Sequence, residues 1–487
     1  MISSLKNLFL KNIGFRQTII KNAFWLAVAE IATSLLRFIL IIFAVRILGV
    51  TEYGGFAFAL SFVMLLAIFG DLGLSHLITR DFAKEKEKEK EYPAIISLKI
   101  ILGIGTVILI FIGSFFVTDI LAVRKIIWIL MVFIFFEGFF DIIYPLVRAR
   151  QKMEYEAVAK IAEALLAFSV GIFLLLNFPS GINLSYAYLF ASLIVLAIVA
   201  AYFHFVLHFL KVKWDVSLWI KFLKDAWPLM FGFVGVWMYL NLDSAMIGLL
   251  GNVQEVGWYN ASSKVIFAII FISTGLISKS FYPALSNFLR DSKEKIQRCW
   301  NYYMEIMISL ALPLSVGGVI FAEKIISLLY GLDNYAPSVF IFQVLAILAG
   351  VTFLYYPFGL ILVVYGQQKK NFILISIGFV LNVLLNFIFI PKYGFYSAPI
   401  NTLFSSFVLL VLAIFLVRRY IPISFFNLDL LKSFIFSVFS SGVMLAVIVS
   451  PVVYNLHIFI SIFVGFVVYG IIFLATKFLF KRFLLTK

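Results

Sequence analysis

The sequence predicts an all-α integral membrane protein of about 14 transmembrane helices, in two six-helix bundles plus two C-terminal helices. Three observations predict it. Of the 487 residues, 63% are hydrophobic and only 13% charged, with a mean hydropathy of +1.09. A water-soluble chain of this size has to cover itself with far more polar surface. The apolar residues fall in continuous runs of bilayer length rather than alternating with period two, which means helices and not barrel strands. Finally, Lys and Arg collect on every second connection, as they do when those connections share the cytoplasmic side.

Taken in order, the spans are expected at 22–45, 55–79, 93–116, 124–147, 157–177, 185–209, 226–250, 260–284, 299–321, 338–364, 371–390, 395–417, 432–453 and 457–480. With the N-terminus inside, roughly 30 cations lie on the inner connections and 5 on the outer ones (Arg46, Arg124, Lys125, Lys324 and Lys392). A missed or extra helix would scramble that alternation. Both termini are therefore expected in the cytoplasm, and the chain in the cell membrane in contact with lipid. The stretch Met1–Lys21 reads as a cytoplasmic tail leading into the first helix, because the span that follows is too long for a cleaved signal peptide.

The same numbers exclude functions. No polar stretch is long enough for a separate soluble domain, so no kinase or ATPase module is expected. The net charge of +15 belongs to the inner connections and not to a nucleic-acid partner. The single Cys299 forms no intramolecular disulfide. There is no Walker A motif, dinucleotide fingerprint or nucleophile elbow, and the reading is of a non-enzyme without cofactor. His204 and His208, at i and i+4 but without nearby carboxylates, do not read as a zinc site. The Lys84–Glu91 run reads as a solvated helical extension.

Ionised groups within spans are the candidate functional residues, since each costs at least about 2.5–3.5 kcal/mol at bilayer depth. Glu30, Thr33, Ser34 and Arg37 share one face of the first span. Arg37 can meet an anionic substrate through its forked donors, or form an interhelical ion pair that fixes packing. Asn241, Asp243 and Ser244 lie on the seventh span. Asp243 can bind a coupling cation, pair with a Lys such as Lys264, or hydrogen-bond a neighbour. Asp71 begins Asp71-Leu72-Gly73-Leu74 in the second span, with Arg80 following. Glu137, Asp141, Tyr144 and Arg148 line one face of the fourth, where an ion-pair belt and a substrate gate are both open readings. Lys99, Glu163 and Lys279 are expected to snorkel to the inner interface.

Two outer turns look alike. Leu48-Gly49 followed by Glu52-Tyr53-Gly54 matches Leu250-Gly251 followed by Glu255 and Gly257-Trp258-Tyr259, six spans apart. That suggests a duplicated six-helix unit whose copies share one orientation, as in parallel-repeat transporters. The expected domains are 1–213 and 214–425, each a bundle, and 426–487, the two added helices.

Ala44-Val45-Arg46-Ile47-Leu48-Gly49, Glu52-Tyr53-Gly54, Phe58, Ser61 and Asp71-Leu72-Gly73-Leu74 up to Arg80 resemble the start of the polysaccharide-transporter flippases. These belong to the multidrug/oligosaccharidyl-lipid/polysaccharide superfamily. Asp243, Ile247, Gly251, Gly257, Tyr259 and Lys264 resemble the second-half counterpart. The resemblance implies a V of two bundles around a central cavity. It also implies a flippase that moves a polyprenyl-phosphate-linked oligosaccharide from the cytoplasmic to the outer leaflet by alternating access, for cell-surface polysaccharide or glycoprotein assembly. The expected cavity residues are Glu30, Arg37, Arg46, Asp71, Glu137 and Lys264. Asp243 is the expected site of coupling to H+ or Na+. Two alternatives stay open: an ion-coupled drug or metabolite antiporter of the same superfamily, and a membrane glycan polymerase or ligase.

Overall fold

A computed structural model describes residues 12, 14–205, 211–425 and 427–485. The described residues are helical, joined by short turns. The long helices are α1 (Phe15–Ala67), the shorter α2 (Leu74–Lys84), α3 (Tyr92–Val117), α4 (Leu121–Ala149), α5 (Met153–Asn177), α6 (Gly181–Phe205), α7 (Val216–Leu250), α8 (Val253–Asp291), α9 (Lys293–Tyr330), α10 (Pro337–Val364), α11 (Gln368–Tyr393), α12 (Ser397–Tyr420), α13 (Leu428–Val449) and α14 (Ile458–Leu485). Ten helical segments among the described residues are long and apolar enough to cross a membrane, two of them of double length, Gln17–Gly70 and Gln368–Tyr420. A left-handed glycine breaks each double segment, Gly49 at φ 72° and Gly394 at φ 68°. With α7 and α8, 35 and 39 residues long, these segments account for about fourteen passes. Large apolar side chains point outward along them, Phe116 at 84% exposure and Phe463, Phe466 and Leu474 nearly as far. That is the surface of a protein whose solvent is lipid.

The chain forms two compact units, Met1–Gly257 and Trp258–Lys487. In the first, α1 packs on α5, α5 on α6, and α4 on α3 and α6. Its core includes Leu74, Ile78, Phe82, Tyr92, Ile95 and Phe140. The expected second span, 55–79, is not one helix. After Ala67 it tightens to a 3-10 turn (Ile68–Gly70), and Leu72 (φ 47°) and Gly73 (φ 86°) are both left-handed before α2 begins. Asp71 holds this break. Its carboxylate accepts from the Ser75 amide at 3.2 Å and the Ser75 hydroxyl at 2.9 Å, which replaces helix bonds lost at the kink. The glycines that match across the sequence also meet in space. A Cβ on Gly54 would lie 1.9 Å from the Val253 carbonyl oxygen, and one on Gly257 2.2 Å from that of Val50. Each turn needs the missing side chain of the other.

The Lys84–Glu91 run is a solvated helical extension only in part: Lys84 closes α2, Glu85 interrupts the helix, and Lys84, Glu85, Glu87 and Lys90 are exposed. Lys86–Glu91 is a 3-10 segment that continues into α3, and two of its three carboxylates pair with neighbours. Glu89 accepts two bonds from Arg150 (3.1 and 2.5 Å), and Glu91 pairs with Lys221 at 3.1 Å. Alternating charge looks solvated in one dimension, but here it ties α3 to α4 and α7.

In the second unit α9 packs along α10 and α13, α10 along α12, and α13 along α14. Trp300 anchors the core, with Phe358 and Phe425 edge-on to it at 5.4 and 5.2 Å. The last two helices attach through Met444, Ile448 and Tyr469, packed on Phe321 of α9. They are fixed further by the Ser437 hydroxyl, which donates to the Ile308 carbonyl at 3.2 Å.

Candidate functional site

Three helices of the first unit bring ionised side chains together at bilayer depth, and a fourth, α6, adds neutral polar ones. Arg37 lies about 18 Å along α1 from the Gly49 turn, at about 1.5 Å per residue, near the middle of a hydrocarbon layer about 30 Å thick. Its guanidinium meets one oxygen of Glu163, on α5, at 3.7 Å. Glu137 on α4, Tyr188 on α6 and Glu30 on α1 lie within electrostatic reach of it. Glu137 accepts a hydrogen bond from the Ser192 hydroxyl of α6 at 2.9 Å and has no cation within ion-pair distance among the described residues. The Thr33 hydroxyl folds back on the Glu30 carbonyl at 3.3 Å, so the polar stripe of the first span is carried by its charges. The Arg37 side chain is 53% open and that of Glu163 8%. The guanidinium is therefore half open, while the carboxylate it meets is enclosed.

Lys99 does not snorkel. It is 2% exposed and bridges Asp141 at 3.3 Å and Asp71 at 3.7 Å. Its stem lies across Gly138, where a Cβ would come 2.9 Å from Cε. Asp71 thus serves the helix break and this bridge. Two turns beyond Asp141, Arg148 donates two bonds to Glu156 at 2.7 and 2.5 Å, and Lys160 adds a third contact at 2.9 Å. Along this face, among the described residues, Asp141 and Arg148 are held in ion pairs, and Glu137 is not. Tyr144, in the same row, keeps a buried hydroxyl without a hydrogen-bond partner.

The remaining expected residues are dispersed. Arg46 is exposed and Asp243 buried. Lys264, on α8, has no ion-pair or hydrogen-bond partner among the described residues. The side chain of Lys279 and all of His208 lie outside the described residues. Sequence reasoning missed the role of Glu163, assigned to the interface, and the contribution of α6. Tyr188 and Ser192 stand at i and i+4 of that helix, a one-face polar signal in an otherwise apolar run. It also missed a neutral network in the second unit. Asn382 donates to Thr402 at 2.9 Å, Asn386 to Asn382 at 3.1 Å, and Asn401 to Asn386 at 3.0 Å, all buried between α11 and α12.

Comparison with known proteins supplies the context. The family described as "Polysaccharide biosynthesis protein" matches residues 19–289. The chain is 23% identical over 418 residues to the capsular polysaccharide biosynthesis protein CapF of Staphylococcus aureus, covering 82% of this chain and 99% of that one. It is 25% identical over 241 residues to the probable low-salt glycan biosynthesis flippase Agl15 of Haloferax volcanii, covering 48% and 50%. Among solved structures it resembles the lipid II flippase MurJ in an inward closed conformation (TM-score 0.78, 17% identity, 94% of this chain and 99% of that one). It also resembles an inward-facing multidrug resistance MATE transporter (TM-score 0.62, 13% identity, 80% and 93%).

Proposed function

The chain belongs to the polysaccharide biosynthesis protein family of the multidrug/oligosaccharidyl-lipid/polysaccharide superfamily, multi-pass membrane transporters and not enzymes, and from that premise we propose that it flips a polyprenyl-phosphate-linked oligosaccharide across the cell membrane. The direction is from the cytoplasmic to the outer leaflet, by alternating access, with both termini in the cytoplasm as the cation count implies. The observation that carries this reading is Arg37: a half-open guanidinium at mid-bilayer depth, held by one long contact. A glycan headgroup bearing phosphate cannot enter hydrocarbon unaided, since each unpaired polar group costs several kcal/mol. A wet recess with a forked cation replaces that lost solvation. The isoprenoid tail stays in lipid throughout. Asp243 is the candidate for ion coupling. Asp71, committed to its turn and to Lys99, is assigned to structure.

One observation favours a second reading. Glu30, Glu137 and Glu163 outnumber the single Arg37 they surround, and an acidic surplus suits a cationic cargo, as in a drug antiporter. Purified protein in vesicles with a fluorescent lipid-linked oligosaccharide separates the readings. Protein-dependent change of headgroup sidedness, without chain lengthening, is expected. Efflux of cationic dyes with no movement of the glycolipid establishes the second reading, and longer glycans establish an enzyme.

A further inference from the structure

Among the described residues, two Arg–Glu contacts join α5 to a neighbouring helix, and they are built differently. Arg148 and Glu156 meet through two short bonds (2.7 and 2.5 Å), with Lys160 beside them. This is the geometry of a pair that stays closed. Arg37 and Glu163 share one contact of 3.7 Å, with the guanidinium half open and the carboxylate enclosed. The second contact is built to be exchanged.

We infer that Glu163 is a resident counter-ion which the phosphate of the cargo displaces from Arg37, and that the displaced carboxyl takes up a proton, so that loading and proton uptake are one event. This rests on the cargo proposed above and adds to it a device that regulates its binding. The argument is one of charge. When Arg37 turns its donors to a phosphate, Glu163 is left enclosed and unpaired, the arrangement that is most costly in a low-dielectric interior. Among the described residues of the first unit, the neighbouring elements offer no substitute cation. They present Glu30 from α1, Glu137 and Tyr144 from α4, and Tyr188 from α6. On α5 itself, Lys160 is committed to Glu156. A second carboxylate nearby raises the cost further. A proton is the charge that remains available, and the open side of Arg37 admits the water that delivers it. The balance is simple: one proton passes from water to a Glu163 oxygen, Arg37 keeps its own, and the phosphate occupies the place the carboxylate leaves. The Tyr144 hydroxyl, buried and without a partner, can then hydrogen-bond within the neutralised cluster.

The test uses the full chain in detergent with farnesyl diphosphate as probe, titrated calorimetrically in two buffers of different ionisation enthalpy at pH 7 and pH 8. Glu163→Gln should bind about tenfold tighter than wild type at pH 8, and should take up about one proton fewer per probe bound, as linkage requires. An infrared difference spectrum of the wild type should show a new protonated-carboxyl band on binding, which the probe cannot supply because it has no carboxyl. This arm needs no variant. Equal affinity and equal proton count in Glu163→Gln, or a wild-type spectrum without the band, overturns the inference while leaving the proposed cargo in place, provided that Arg37→Gln loses binding. Absence of binding by the wild type overturns both.

Discussion

The two units solve the problem of polar groups in a bilayer in different ways. The first places ionised side chains there: Arg37 with Glu163, and Lys99 with Asp71 and Asp141. The second places a neutral ladder, Asn401 to Asn386 to Asn382 to Thr402, every link buried and made. A closed amide ladder is glue between helices. An ion pair with an open cation is incomplete, and the incompleteness is its use. On the function proposed above, chemistry belongs to the first unit and the amide network of the second contributes rigidity.

The comparison breaks most directly at Arg37. Arg37→Ala should reduce vesicle flipping of a lipid-linked oligosaccharide to the protein-free rate while the protein still purifies as a monodisperse species. Asn401→Ala should leave flipping measurable. If Asn401→Ala abolishes transport and Arg37→Ala does not, the assignment of roles is reversed. Next in size is Lys99. Lys99→Met strands two carboxylates around a buried position. Breaking a fully buried pair costs about 3–5 kcal/mol, but Asp141 is 53% exposed, so about 2 kcal/mol is expected here. Thermal unfolding in detergent reads it. Arg37→Ala, by contrast, should move that unfolding little, because its contact is long and half solvated.

What the sequence made legible follows the same division. The helices are legible because a bilayer demands about 20 apolar residues per pass, a one-dimensional requirement. The breaks at Gly49 and Gly394 are legible as glycines beside polar turns. Arg37 and Glu30 stand out as charges on one apolar face. Partners are a different matter. Glu163 and Lys99 each sit near a span end, where snorkelling and pairing look identical in sequence. Only the packing of α1 on α5, and of α3 on α4, decides between them. The break at Asp71-Leu72-Gly73 was hidden because apolar residues continue on both sides. The amide ladder left one trace, Asn382 and Asn386 at i and i+4, but the residue that completes it, Asn401, lies on another helix.

A smaller effect sharpens the second half of the comparison. Asn386→Leu removes the middle rung, leaving the Asn382 oxygen and the Asn401 amide without their bonds. Hydrogen bonds between membrane helices contribute about 0.6 kcal/mol on average, so two lost links should cost about 1 kcal/mol, roughly half the effect of Lys99→Met. Unfolding measured side by side checks the ratio. An Asn386 variant that falls further than the Lys99 variant would show that the neutral network, and not the charged one, carries the larger share of stability.

The smallest effect concerns charge that is outside the spans. Asp215 caps α7, accepting from the Leu218 amide at 3.2 Å, the Ser217 hydroxyl at 2.6 Å and the Lys213 ammonium at 3.0 Å. These three donors hold its carboxyl down to about 2, below the ordinary aspartate value. A folded-state value lower than the unfolded one means that the cap's charge stabilises the chain above the ordinary range, and that this contribution fades as pH falls through it toward 2. Between pH 5 and 8 the cap should therefore be silent. Asp215→Asn keeps a capping side chain but not the charge, so it should fall slightly below wild type at neutral pH and converge on it on acidification below about pH 4. Unfolding midpoints of the pair across that range provide the check. A unit charge of the kind proposed to act at Arg37 has little consequence here, because water and three donors solvate Asp215. In this chain depth, more than charge itself, decides what an ionised residue is worth.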